Sequence, residues 1–249
     1  MKIRLHQFLS KSGLFSRRQD MLDAILKGEV KIDSETVTKP HYGFNPKKRK
    51  VYYKGEEVKE TEETIYLILN KPLGYLSTKL TEKDIELGKK SAFDLITGFD
   101  EKAKNSLFAV GRLDEDTSGL LIFTNDGRLG YRIASPKNSI NKTYHAVLEK
   151  ELSEKDIAKI EKGVKISLGG FPEKFYTTKP CKIEKISGKE AYITLTEGKK
   201  REVRKIFVAM GNAVISLRRI AIGKILLKKL DIRDGEFRIV DRQFIKERL

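Results

Sequence analysis

The chain has 249 residues, enough for one large domain or two ordinary ones with a full-sized buried core. Its 51 lysines and arginines outnumber 35 acidic residues, for a formal net charge of +16, which indicates a polyanionic partner. Nucleic acid is the first candidate and an anionic membrane surface the second. No apolar run approaches the roughly 20 residues that span a bilayer, which argues against a transmembrane protein.

The cysteine and histidine content argues against several kinds of site. Cys181 is the single cysteine, so an intrachain disulfide is impossible and a reducing cytoplasm is the expected location. No apolar secretion signal follows the first six residues. The histidines His6, His41 and His145 are scattered without metal-ligand spacing. We therefore expect a cytoplasmic protein, monomeric by default, without a metal, a small-molecule cofactor or a catalytic thiol.

The first sixty residues carry two helical patterns and then short alternating strands. Apolar residues recur at helical spacing over residues 4–12, and Gly13 ends that helix. Ser16 is a favourable N-cap for a second helix over residues 17–27. Apolar alternation over residues 30–37, around a polar turn, predicts a hairpin.

This segment resembles, over about residues 2–59, the small RNA-binding module first described in ribosomal protein S-four. The resemblance is carried by Arg4-Leu5, Phe8-Leu9, Gly13, Ser16-Arg17-Arg18 and Gly28-Glu29-Val30-Lys31-Ile32-Asp33. It implies RNA contacts by Arg4, Ser16, Arg17, Arg18 and Lys31. Arg17 and Arg18 would lie in the first turn of the second helix, where free backbone amides and guanidinium groups can face the same phosphates. A solvated basic helix face is the alternative.

A basic stretch and a polar stretch complete this part of the chain. Residues 46–51, Pro-Lys-Lys-Arg-Lys-Val, resemble a nuclear import signal when taken alone. Inside a small folded domain they are expected to line RNA or to form a solvated loop. Residues 59–64 are polar without an apolar pattern and indicate a linker. The predicted division is a module over residues 1–60 and a second domain over residues 61–249.

The second domain opens with an apolar strand over residues 65–69. Asn70-Lys71-Pro72-Leu73-Gly74 follows, a composition that suits a turn at the strand's end. Residues 79–106 are mostly polar, with one amphipathic piece over residues 91–96. They predict an exposed insertion that could touch a partner.

A polar loop between two apolar strands is the strongest local signal in the chain. Residues 107–110 and 120–123 predict buried strands, and the loop reads Gly-Arg-Leu-Asp-Glu-Asp-Thr-Ser-Gly over residues 111–119. Loops held by a rigid scaffold often carry chemistry, so Asp114 is a candidate catalytic residue. One alternative is a calcium loop, but its twelfth position would be Asn125. The other is an aspartate that merely caps a turn.

The remaining elements alternate helices, strands and one basic block. Helices are predicted over residues 127–135 and 153–163, and strands over residues 142–148, 165–168, 181–186 and 190–195. The basic block at residues 197–207 has apolar residues at helical spacing, so its charged side chains are expected on the opposite face of that helix. The block contributes Lys199, Lys200, Arg201 and Arg204.

The motifs at residues 70–74, 111–120, 142–144 and 197–222 together resemble the RsuA family of pseudouridine synthases. The resemblance implies that Asp114 is the nucleophile, Arg204 its ion-pair partner and Tyr144 the ring that stacks on the target base. It also implies substrate contacts by Arg112, Lys71, Lys142 and Leu217, with Lys71 at a phosphate and Leu217 packed beneath the base. The basic block adds RNA contacts by Lys199, Lys200 and Arg201.

The implied fold is α+β: a small helical and β module, then a mostly antiparallel mixed sheet with flanking helices. The strand-rich, non-alternating order of predicted elements agrees with it. Isomerising uridine involves neither oxidation nor hydrolysis, so no redox cofactor or metal is required. It does require an ionised carboxylate, a guanidinium that opposes the effect of desolvation, and a base flipped from its stack.

The expected function is a ribosomal RNA pseudouridine synthase acting on ribosomal RNA or on ribosome assembly intermediates. A target in 16S rRNA is favoured over one in 23S rRNA. The alternatives are a non-catalytic ribosome-associated RNA binder and a hydrolase that uses Asp114 and Asp116 as acid and base. The synthase hypothesis predicts a mild effect for Asp116→Asn and loss of activity for Asp114→Asn, whereas the hydrolase hypothesis predicts equal losses.

Overall fold

The structure is a computed structural model in which residues 2–249 are described. Its first part combines two helices with short strands. Strands β3, β2, β5 and β6 form an antiparallel sheet in that order, and β1 pairs with β4. The elements are β1 (Ile3–Arg4), α1 (Leu5–Ser12), α2 (Arg18–Leu26), β2 (Val30–Ile32), β3 (Glu35–Thr36), β4 (Gly43–Phe44), β5 (Val51–Tyr53) and β6 (Glu56–Val58).

The start of α2 differs from the sequence prediction. The helix begins at Arg18 and its N-cap is Arg17, so the prediction of Ser16 as the cap is wrong. The Arg17 guanidinium instead binds the carboxylates of Asp20 at 2.9 Å and Glu82 at 2.8 Å. A phosphate at Arg17 would have to compete with both carboxylates, whereas Arg18 is exposed.

The second part contains the larger sheet and six helices, counted within the described residues. Its strands are β7 (Tyr66–Lys71), β8 (Tyr75–Leu76), β9 (Lys90–Ser91), β10 (Phe108–Val110), β11 (Ser118–Thr124), β12 (Lys142–Leu148), β13 (Lys165–Gly169), β14 (Lys174–Thr177), β15 (Lys182–Lys185), β16 (Glu190–Leu195), β17 (Val214–Ile222), β18 (Ile225–Leu226) and β19 (Phe237–Ile239). Its helices are α3 (Glu82–Glu86), α4 (Glu101–Ser106), α5 (Gly127–Ala134), α6 (Glu154–Lys162), α7 (Glu202–Ala209) and α8 (Arg242–Lys246), with 3₁₀ turns at Pro136–Asn138 and Leu227–Lys229.

The large sheet is mixed but almost wholly antiparallel, as predicted. Its strands follow the order β15-β16-β12-β17-β11-β7-β19, with β10 added to β11 and β18 added to β17. Among the described pairs of this sheet, only β11 and β17 run parallel. Two smaller pairs lie outside it, the parallel β8–β9 and the antiparallel hairpin β13–β14. None of the described helices combines the length and apolar composition that a membrane crossing requires.

The central strands β7 and β11 are buried on both faces. Ile68 and Ile122 pack into one apolar cluster, while Leu67, Leu121 and their neighbours pack into another on the opposite face. A strand covered on both sides has no polar face, and this explains why the sequence shows continuous apolar runs here instead of alternation.

Residues 79–106 are not the fully exposed insertion that the sequence predicted. Ala92, Phe93 and Ile96 are buried in the cluster that covers β7 and β11. The sheet needs apolar side chains on this face, and a mostly polar segment with one amphipathic piece supplies them. The earlier part, around Ile85 and Leu87, is mostly exposed, and exposed residues recur at 97–98 and 100–102.

The module packs directly against the second part. Gly13 has φ +67°, and a Cβ there would lie 1.8 Å from the Lys102 carbonyl oxygen of α4, so this contact requires glycine. The Thr61 amide donates to the Lys11 carbonyl at 3.3 Å, and Lys11 pairs with Glu60 at 3.0 Å. These contacts orient the module relative to the sheet. The division at residue 60 stays a prediction.

Candidate active site

Asp114 lies half-buried in the loop that joins β10 to β11. The Thr117 amide donates to the Asp114 carbonyl at 3.1 Å and closes a turn. The Ser77 hydroxyl donates to the Leu113 carbonyl at 2.8 Å and accepts from the Leu113 amide at 3.0 Å. The loop is therefore held both internally and by the segment that follows β8.

The loop ends where β11 meets β17 at very close range. Gly119 has φ +105°, and a Cβ there would lie 2.3 Å from the Arg219 carbonyl oxygen. Arg219 is only 2% exposed, and its Nε donates to the Leu120 carbonyl at 2.8 Å. Arg219 was not among the predicted site residues, although an arginine inside an apolar strand is the signal in the sequence that indicates it.

Asp116, and not Asp114, pairs with the arginines of α7 and its N-terminal loop. Arg201 binds both Asp116 carboxylate oxygens at 2.7 and 3.2 Å, and Arg204 lies 3.2 Å from one of them. Arg204 also donates to the carbonyls of Asp116 and Val214, each at 2.7 Å. These two carbonyls fix the guanidinium beside Asp116, so the expected ion pair between Asp114 and Arg204 is not formed.

The charges around Asp116 have a clear effect on its acidity. Burial by itself would raise the pKa of Asp116, but the hydrogen bond from Arg201 and the positive charges of Arg204 and Arg201 bring that pKa below its usual value. Asp116 and, more weakly, Asp114 raise the pKa of Arg201 in return. Arg201 is therefore a cation near the Asp114 carboxylate.

Lys71 occupies a buried position beneath this loop. Its side chain is fully buried, and Nζ donates to the carbonyls of Pro72 and Tyr75 at 2.9 and 2.8 Å. The expected phosphate contact does not fit this inward-facing ammonium group, which instead shapes the turn after β7. Burial lowers the pKa of Lys71 to about 8, against the opposing charges of Glu115, Asp116 and Asp114.

Lys142 is buried in the same way at the start of β12. Its Nζ donates to the Ile140 carbonyl at 3.2 Å, and burial followed by the charge of Arg219 lowers its pKa. A direct substrate contact by this side chain would require it to leave that position.

Tyr144 lies between two apolar clusters of the sheet. It packs against the cluster that contains Leu217 and against the one that contains Leu113, the neighbour of Asp114. The structure therefore brings Tyr144, Leu217 and the Asp114 loop to one place. Arg112 is exposed on the same loop and forms no ion pair within residues 2–249.

A buried pair of glutamates supports the start of α7, and sequence analysis missed it. Glu202 is 4% exposed and accepts from the Lys199 amide at 2.7 Å. Glu197 accepts from the Tyr176 hydroxyl at 2.6 Å and from the Lys179 amide at 2.8 Å. Burial and the neighbouring Glu197 carboxyl raise the pKa of Glu202 well above its usual value. Lys199, Lys200 and Arg201 lie exposed on the loop above this pair.

The calcium alternative finds no support in this geometry. Ser118 and Asn125 lie at opposite ends of β11, and the Asn125 side chain accepts from the Ile65 amide and donates to the Glu63 carbonyl, both at 2.9 Å. Within residues 2–249 no group of three or more His, Cys, Asp or Glu side chains is arranged to hold a metal ion.

Burial also raises the pKa of the Cys181 thiol to about 11, which leaves a thiolate nucleophile unfavourable there.

Comparison with known protein families decides which family the chain belongs to. The RNA pseudouridylate synthase family matches residues 65–209, and the S4 domain family matches residues 3–49. The chain belongs to the RNA pseudouridylate synthase family. The matched segment includes the Asp114 loop, Tyr144, Arg201 and Arg204.

Relatives align with this synthase over nearly its whole length. The uncharacterized RNA pseudouridine synthase YtzG of Bacillus subtilis is 36% identical over 95% of this chain and 94% of its own. Ribosomal small subunit pseudouridine synthase A of Haemophilus influenzae is 31% identical, covering 98% and 99%. Ribosomal large subunit pseudouridine synthase B of Bacillus subtilis is 32% identical, covering 87% and 84%. These relatives place the chain among the RsuA-type pseudouridine synthases.

A solved structure confirms the fold. A crystal structure of pseudouridylate synthase superposes with a TM-score of 0.68 at 29% identity, covering 99% of this chain and all of the other. The predicted fold, an S4-like module followed by a mixed-sheet synthase domain, is therefore correct.

Asp116→Asn is expected to lower the synthase's turnover about tenfold, more than the mild effect that the sequence suggested. One neutral amide cannot hold two guanidinium groups, and each charge-assisted hydrogen bond contributes roughly 1.5–3 kcal/mol. Steady-state kcat on an RNA substrate measures the loss. Asp241→Asn, which alters an exposed aspartate capping α8, is the matched control. A kcat for Asp116→Asn equal to that of Asp241→Asn would show that the contact is dispensable.

Glu202→Gln is expected to remove a pH dependence of stability. The folded-state pKa of Glu202 is raised, so the folded protein holds a proton that the unfolded chain loses near pH 4.5. The associated stability is fully present below pH 4.5 and is lost as the pH rises through the folded-state pKa. Urea unfolding between pH 4.5 and 9 should show this decline in the wild type and a flatter profile in the variant. Parallel profiles in the wild type and the variant would contradict the raised pKa of Glu202.

Proposed function

We propose that this synthase isomerises a uridine of ribosomal RNA and that Asp114 supplies the reacting carboxylate. The observation that carries the proposal is that this carboxylate is partly buried and unpaired on an anchored loop. Asp114 is half-buried and has no ion-pair partner within 4.0 Å in the described chain, while its loop is anchored on both sides. The nearby positive charges of Arg201 and Lys71 attract the Asp114 carboxylate, but neither side chain forms an ion pair with it.

The reaction breaks the bond from sugar carbon 1′ to base nitrogen 1, turns the base, and joins carbon 5 to carbon 1′. A carboxylate serves this sequence by bonding to carbon 1′, by adding to the base, or by removing a sugar proton on an elimination route. All three routes need an anionic oxygen at the junction of sugar and base. They also need fixed positive charge nearby, which Arg201 provides here.

The base would reach Asp114 by leaving its stack. We assign Tyr144 to stack on the flipped uracil, because it packs against the apolar cluster that contains Leu113 of the Asp114 loop. We assign Leu217 to pack beneath the base, because it belongs to the second cluster that Tyr144 contacts and pairs with Ala146 on the same strand as Tyr144. Arg112 is exposed beside the nucleophile and is suited to contact the RNA backbone. Exposed Arg4, Arg18 and Lys31 of the module, with Lys199 and Lys200, would extend that contact.

Ribosomal RNA is the substrate class that the relatives favour. The small-subunit synthase aligns over 99% of its own length and the large-subunit synthase over 84%, at nearly the same identity. We therefore favour a uridine in 16S rRNA, with 23S rRNA as the second candidate. The basic charge of the whole chain suits either.

Chemical mapping of pseudouridine in rRNA from cells that lack this gene tests the proposal. We expect one site to vanish, to return with the wild-type gene and with Asp241→Asn, and to stay absent with Asp114→Ala. A lost site in 23S rRNA would replace the favoured target. Persistence of every site, together with no modification of rRNA by the purified protein, would leave a non-catalytic RNA binder.

A further inference from the structure

The β13–β14 hairpin carries exposed aromatic side chains that the synthase core does not use. Phe171, in the turn between the strands, is fully exposed, and Phe175 on β14 is 53% exposed. Ile166 on the neighbouring strand is buried in the core, so the base of the hairpin is fixed while its turn extends into solvent. Two exposed rings on one anchored hairpin make it a candidate contact surface.

The same hairpin carries two exposed lysines and one exposed glutamate, Glu173. Lys165 and Lys174 are exposed, and the Lys165 Nζ lies 4.6 Å from the centroid of the Phe175 ring. Aromatic platforms interleaved with lysines are the combination that holds single-stranded nucleic acid, since each base can stack on a ring and each phosphate can meet a cation. A protein partner would be expected to find an apolar patch with fewer cations around it.

The hairpin also contacts the loop that precedes α7. On its other face, the Tyr176 hydroxyl donates to Glu197 at 2.6 Å, and the Lys199 Nζ lies 4.3 Å from the Tyr176 ring centroid. Lys199 precedes Arg201, which binds Asp116 beside Asp114. The far face of the hairpin is thus held, through Tyr176, against the loop that carries Lys199 and Arg201.

We propose that the β13–β14 hairpin binds unpaired nucleotides that flank the target uridine, with Phe171 and Phe175 stacking on bases and Lys165 and Lys174 contacting phosphates. The substrate is then a uridine that adjoins a single-stranded segment. This inference rests on the proposed function for the identity of the substrate, but RNA binding by the hairpin is measurable without any turnover.

Binding of the full-length protein to a fluorescein-labelled 12-nucleotide oligouridylate tests the stacking. Phe171→Ala and Phe175→Ala should each raise Kd about tenfold, because stacking on an aromatic ring accounts for much of the affinity per base. Phe171→Tyr should retain wild-type affinity, and Ile239→Ala, an exposed apolar residue on the edge strand β19, should have no effect. Lys165→Gln should reduce the slope of log Kd against log salt by about 0.7.

A second measurement uses unmodified 16S and 23S rRNA transcripts. The two alanine variants should raise KM with kcat unchanged, while melting temperature and circular dichroism stay at wild-type values. An unchanged Kd in both alanine variants, together with an unchanged salt slope in Lys165→Gln, would overturn the proposal. So would normal RNA binding with loss of binding to purified ribosomal proteins, which would make the hairpin a protein-docking arm. If rRNA is not modified but the oligouridylate results hold, the proposed function fails and the hairpin inference stands.

Discussion

Replacing Asp114 with asparagine is expected to lower isomerisation at least about a thousandfold while leaving the fold and RNA affinity unchanged. Asparagine keeps the volume of the side chain but has no anionic oxygen. Carbon 5 of the uracil loses its hydrogen when it bonds to carbon 1′, so tritium release from RNA with 5-tritiated uridine counts turnovers. Kd for the same RNA reports binding separately.

Asp116→Asn is the matched comparison, because it makes the same chemical change two residues along the loop. The structure has Asp116 already bound to Arg201 and Arg204, so it serves to position the loop, and its loss should leave measurable activity. Equal losses in the two variants would favour the paired-carboxylate hydrolase scheme. Full activity in Asp114→Asn would remove the assigned nucleophile altogether.

Gly119→Ala is expected to destabilise the protein by roughly 3 kcal/mol or more and to abolish activity. The new Cβ would lie 2.3 Å from the Arg219 carbonyl oxygen, and the backbone there has φ +105°. Strand β17 cannot move away freely, because β12 pairs with its other edge and Arg219 is bonded to the Leu120 carbonyl. Urea unfolding measures the loss of stability.

Gly127→Ala provides the control for that substitution. No atom lies within 4 Å of a Cβ at Gly127, which is the first residue of α5. Alanine there should leave stability unchanged or increase it by up to ~1 kcal/mol, because alanine favours helix. If both glycine variants unfold at the same urea concentration, the close approach of β11 and β17 does not constrain residue 119.

Local patterns in the sequence were enough for most elements and for the site loop. The apolar runs before and after residues 111–119 form β10 and β11, and α6, capped by Ser153, lies within the helix predicted over residues 153–163. Short-range rules govern these features, because a strand or a cap depends on residues within a few positions of one another. The family motifs likewise placed Asp114 on a loop between two strands.

Only the tertiary structure decided which charged groups meet and which are buried. Arg201 and Asp116 are 85 residues apart, and their pairing depends on how β11 and β17 bring the loop beside α7. The inward position of Lys71 follows from its place at the end of a strand covered on both faces, which no local pattern records. The sequence determined most of the strands and helices and indicated the loop that we propose to react, because these follow from neighbouring residues. The arrangement of charge around Asp114 came from contacts between distant segments, since electrostatic interactions depend on distance in space and on burial.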